Sequence, residues 1–68
     1  MSENKSVQDL INEYKGQIEV LEKELLYVKK EIRANPLNNH LLSQKRVIIE
    51  DMILDLKLGI ALMTNYLE

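Results

Sequence analysis

The sequence predicts an all-α protein, an antiparallel, coiled-coil-like helical hairpin that dimerises into a four-helix bundle. Three observations carry this expectation. First, Val7, Ile11, Tyr14, Ile18, Leu21, Leu25, Val28 and Ile32 follow one another by alternating fours and threes, and so do Leu42, Arg46, Ile49, Ile53, Leu56, Ile60, Met63 and Leu67. That spacing keeps one seam of a helix turned toward a partner helix. Second, the two series mirror each other. Val7 with Leu67, Ile11 with Met63, and so on to Ile32 with Leu42, every pair of positions sums to 74. An antiparallel pair requires a constant sum, because each step forward on one helix meets an equal step back on the other. Third, the chain's one proline falls between the two series.

The first helix is expected over about residues 6–34. Ser6 can cap it by accepting from the Asp9 amide, with Asp9 also favourable in the first turn. Ser2 is an alternative cap. Lys29, Lys30 and Arg33 fall in the last turns, where cations complement the carbonyl dipoles. Asn35 precedes Pro36 and is pushed out of the α region, so residues 35–38 read as a turn. Pro36 also suits the first turn of a following helix, where its missing amide costs nothing. The second helix is expected from about Asn38 to Leu67, and the whole chain reads as one helical-hairpin domain.

Composition narrows the class. Sixty-eight residues hold one small domain, whose core rarely supplies more than about 3–5 kcal/mol. With no cysteine, neither a disulfide nor a thiolate metal site can supplement that core. At 46% apolar and 29% charged residues, the chain is too apolar to stay disordered. The net charge of −2 selects no partner class. Met1 to Ser6 has no apolar signal region. The uncharged run from Leu58 to Leu67 is about half of what spans a bilayer. A cytoplasmic protein is expected, with no membrane partner; Asp51, Asp55 and Lys57 also interrupt the apolar stretch that an interfacial membrane helix would use.

No enzymatic chemistry is expected: no catalytic residue, no cofactor and no metal. His40 is the single histidine, beside the turn, where it reads as a solvated or capping residue. No glycine-rich phosphate loop or nucleophile motif occurs. Leu42-Ser43-Gln44 in a short two-helix chain resembles a family of short two-helix aspartyl-phosphate phosphatases, whose second helix carries Ser-Gln-Glu-Leu-Asp. Lys45 stands here where that motif has its acidic residue, so the resemblance does not carry the family's activity to this chain.

The second helix has more apolar surface than one partner can cover. Between Val47 and Leu67, fourteen of twenty-one residues are apolar, and a helix apolar nearly all round is normally buried. Ile48, Met52, Gly59, Leu62 and Tyr66, with Asp55 counted in, trace a second stripe by fours and threes. Val47, Leu54, Leu58 and Ala61 add a third patch; Leu10, Val20, Leu26 and Tyr27 add apolar surface on helix one. Self-association resolves the excess, as a homodimer or a higher oligomer, with Ile48, Met52, Leu54, Leu58, Gly59, Leu62 and Tyr66 at the interface. Gly59 there either lets two helix backbones approach closely or is a tolerated helix glycine, and Gly16 lies away from the seam.

Arg46 replaces an apolar residue in the layer opposite Val28. Its stem can cover the layer while the guanidinium reaches Glu24, Glu31 or water, or it acts as a register device or partner contact. Glu31 is expected near Lys45. From Lys23 to Glu50 the chain has six basic and three acidic residues, against three basic and eight acidic elsewhere. The turn end is thus +3 and the open end −5. Helix-terminal cations account for much of this. The same basic tip, Lys29, Lys30, Arg33, Lys45 and Arg46, could also touch nucleic acid or an acidic protein. The expected function is a small cytoplasmic interaction or regulatory accessory protein working as a homo-oligomeric bundle, with another protein as partner. The alternative is a nucleic-acid-binding dimer that uses the basic turn ends.

Overall fold

The computed structural model describes residues 6–37 and 39–67. Ser2 and Asn38, the alternative cap and the expected start of the second helix, lie outside those residues. Two helices, α1 (Val7–Ala34) and α2 (His40–Leu67), pack against each other as a hairpin. Each has 28 residues, and the hairpin measures 51 × 23 × 14 Å.

Local chemistry sets the helix ends. Ser6 is extended, with φ −70° and ψ 163°, and its hydroxyl accepts from the Asp9 amide at 3.1 Å. This satisfies one of the amides that a helix start leaves without an internal partner. At the other end, the Asn35 backbone amide donates to the Glu31 carbonyl at 3.0 Å, and its side-chain amide donates to the same oxygen at 3.2 Å. Asn35 itself has left the helical region, at φ −128° and ψ 68°, in the direction that the following proline favours. Pro36 and Leu37 form a turn. Pro36 therefore does not occupy the first helical turn that its geometry would suit. Helix α2 starts four residues later, with the Ser43 amide donating to the Asn39 carbonyl at 2.8 Å.

The core follows the mirrored series. Ile18, Val28, Ile49 and Ile53 form a buried cluster, and Leu21, Leu25, Ile32, Leu42, Leu56 and Ile60 pack against it half-buried. All ten belong to the constant-sum seam. Ile11 is also buried. Val28 is the most enclosed, at 1% exposed, although Arg46 rather than an apolar residue faces its layer. Arg46 itself is exposed, as a side chain is when its stem covers a layer and its charge stays in water. Replacing it by leucine is therefore expected to leave the thermal stability equal or higher, because no buried charge pair is broken. Collapse of the hairpin in that variant would show that the guanidinium has a structural partner.

Two expected details of the seam come out differently. Lys45 pairs with Glu24, Nζ to Oε2 at 3.4 Å, rather than with Glu31, and thereby takes one of the acceptors proposed for Arg46. Lys45 stands opposite position 29 in the constant-sum register, about 7 Å along the axis from Glu24 at ~1.5 Å per residue. Two long side chains bridge that offset. Both are about half exposed, so the pair contributes under about 1 kcal/mol. The second departure is at the open end, where Leu67 is 51% exposed; the layer that it shares with Val7 is only partly closed.

Candidate association surface

The apolar residues that the seam does not use are turned outward. Among the described residues, thirteen large hydrophobic side chains are left exposed, whereas five residues form the buried core. Nine of the thirteen are on α2: Leu41, Val47, Ile48, Met52, Leu54, Leu58, Leu62, Tyr66 and Leu67. On a 3.6-residue helix, Ile48, Met52, Leu62 and Tyr66 lie along one side of the seam, and Val47, Leu54 and Leu58 lie on the far face. Leu62 and Tyr66 are 70% and 79% exposed. All seven interface residues expected from the sequence are on α2, and six of them are exposed apolar side chains. The seventh, Gly59, is half-buried.

Gly59 has a neighbour within its own hairpin. A methyl group there would lie 2.8 Å from Tyr14 Cε2 and 3.3 Å from Cδ2. Tyr14 opposes Ile60 in the constant-sum register, and its ring reaches the adjacent residue. The glycine thus makes room for an aromatic ring of α1, a role that neither sequence-based expectation assigned to it. At Gly16, in contrast, a methyl group would meet nothing within 4 Å. The two glycines therefore make an internal comparison. Gly16→Ala is expected to stabilise by about 1 kcal/mol from helix propensity alone. Gly59→Ala adds overpacking of about 1–3 kcal/mol, leaving a net effect between zero and a loss of about 2 kcal/mol. Thermal melts of the two variants check this; equal stabilisation by both would mean that the Tyr14 ring moves aside at no cost.

The same side of the hairpin carries a shallow apolar groove between the helices, lined by Glu13, Gly16, Gln17, Val20, Leu21 and Met52. It joins Val20 of α1 to the Met52 stripe of α2. A second depression, along α2 alone, is lined by His40, Ser43, Gln44, Val47 and Ile48. His40 sits 3.4 Å from Gln44 within it. Sequence reasoning did not single out Leu41, which is 75% exposed; its signal was its place one heptad before Ile48. At the turn end Lys29, Lys30, Arg33, Lys45 and Arg46 are all exposed, and Lys45 among them is the partner of Glu24.

Among the described residues no group of three or more His, Cys, Asp or Glu side chains is placed to hold a metal ion. No described helix is long and apolar enough to cross a membrane. Compared with protein families, with curated proteins and with solved structures, the chain shows no match.

Proposed function

We propose that this chain is a small, non-catalytic protein-interaction module of the cytoplasm, a regulatory or accessory factor that works as a homo-oligomeric helical bundle. One observation carries the reading: among its described residues the hairpin exposes thirteen large apolar side chains and buries five. On a monomer, apolar surface left open on this scale marks interaction sites. Two hairpins packed through α2 would form a four-helix bundle. Regulation of, or support for, another protein would then use the helix surfaces left outside the bundle.

Thermal melting over a hundredfold range of protein concentration tests the self-association. Dimers melt at temperatures that rise with concentration. A melt that is independent of concentration would contradict the proposal.

The second reading is a nucleic-acid-binding dimer, favoured by the five exposed cations at the turn end. Binding to generic duplex DNA that weakens steeply with salt would support it, because phosphate contacts release counterions. Binding absent at low salt would end it.

A further inference from the structure

We infer that the occupant of the α2 surface is a second copy of this chain in antiparallel, twofold-related orientation, with Asp55 of each copy accepting a hydrogen bond from the Tyr14 hydroxyl of the other. This rests on the self-association proposed above and adds its orientation, its register and one polar contact.

The stripe itself has the required symmetry. Ile48 with Tyr66, Met52 with Leu62, and Asp55 with Gly59 are pairs of positions that each sum to 114. Antiparallel pairing of α2 with its copy, about an axis at position 57, sets each member against its mate. Alternating spacings alone would give such symmetry; the side chains make it specific. Ile48, Met52, Leu62 and Tyr66, each exposed in the hairpin, all fall opposite another large apolar residue. Asp55, the one charge in the stripe, falls opposite Gly59, the one residue without a side chain.

Gly59 is not bare. The Tyr14 ring lies over it, its edge 2.8 Å from where a methyl group would stand. Asp55 is exposed in the hairpin and, as a carboxylate, only accepts hydrogen bonds, while a phenol O–H can donate. Antiparallel docking therefore brings the Asp55 carboxylate of one copy to the Tyr14 phenol of the other, twice about the axis. Hydrogen bonds to an ionised acceptor are the stronger kind. They also disfavour one of the two neighbouring registers. A slip of one heptad toward the N-terminal end of α2 places Asp55 against Met52, which cannot donate to it. A polar residue in an apolar seam commonly specifies register in this way.

Charge selects the same orientation. Among the described residues the turn half of the hairpin carries +3 and the open half −4. In this register positions 47–67 overlap, so Asp9 and Glu13 of one copy fall level with positions 49 and 53 of the other, close along the axis to Lys23, Lys45 and Arg46, while Lys30 and Arg33 project past the partner's end. A parallel dimer sets like beside like. The hairpin is 51 Å long, several times the ~10 Å Debye length at 0.1 M salt, so each end responds to its own neighbour.

The test uses spin labels in the whole chain. The protein has no cysteine, so Leu37→Cys gives one label per copy, in the turn, at a side chain that is 94% exposed and away from the proposed interface. Twenty residues separate position 37 from the axis at 57, about 30 Å at 1.5 Å per residue. An inter-label distance of roughly 60 Å is expected by pulsed dipolar spectroscopy. A distance near 20 Å in a dimer, about two helix diameters, would overturn the antiparallel arrangement and leave self-association standing. No dipolar signal from a protein of monomer mass would overturn both. A separate variant, Tyr14→Phe, keeps the ring over Gly59 and removes the donor. It is expected to raise the dimer dissociation constant at least tenfold without changing helix content; an unchanged constant would overturn the Tyr14–Asp55 contact.

Discussion

Ile53→Ala is expected to unfold most of the protein at room temperature, whereas Leu54→Ala, one residue along, leaves the hairpin folded. Ile53 is 8% exposed and belongs to the central cluster with Ile18, Val28 and Ile49. Truncating a buried isoleucine removes its transfer free energy and leaves a cavity, together costing about 2–5 kcal/mol. A core of this size supplies only about 3–5 kcal/mol in the first place. Half-buried Leu21, Leu25, Leu56 and Ile60 flank the cluster, but a two-helix seam offers no third layer to close over the gap. Leu54 points outward, so its loss deletes little that the isolated hairpin uses. Helical circular dichroism against denaturant distinguishes the two variants. Similar losses at both positions would mean that α2 is as deeply buried on its outer face as in its seam, and that the hairpin's own core is not what holds the fold.

Leu62→Glu is expected to have the opposite profile: an intact hairpin that no longer associates. Leu62 lies in the exposed stripe, and its counterpart in the proposed antiparallel register is Met52 of the second copy. A carboxylate placed there meets thioether and hydrocarbon, and burying a charge without a partner costs several kcal/mol. That corresponds to a dissociation constant raised a hundredfold or more, at ~1.4 kcal/mol per factor of ten. Sedimentation across a concentration series measures it, with circular dichroism at high dilution showing that the helices persist. Wild-type association in the Leu62→Glu protein would remove the stripe from the interface and shift attention to the far face of Val47, Leu54 and Leu58.

Much of this fold is legible in the amino-acid order because the interactions that set it are local or periodic. Ser6 caps α1 through an amide three residues away, and Asn35 stops it because of the next residue. The buried cluster follows from spacing alone, since a heptad series leaves little choice about which side faces the partner. What escapes such reasoning depends on the reach of particular side chains. Tyr14 spreads across Gly59 because its ring is wide enough to cover a position beside its own layer, which no periodicity encodes. Lys45 finds Glu24 in preference to Glu31 because two flexible chains span several ångströms along the axis. Pro36 could open a helix or sit before one; the turn geometry that decides between them belongs to Asn35 and Leu37 as much as to the proline. The association surface is legible in a different sense. The excess of apolar residues on α2 is plain in the sequence, and Leu41 extends the same face by a heptad, yet a set of exposed leucines does not say what, in the proposed assembly, covers them.

The mass of the wild-type protein in solution tests that question most directly. Sedimentation equilibrium at physiological salt, over concentrations from low to high micromolar, reads it without labels or substitutions. The expected result is a reversible equilibrium that reaches twice the 8.0 kDa of one chain. A protein that remains at 8.0 kDa throughout that range, with its helices intact, would contradict the self-associating bundle.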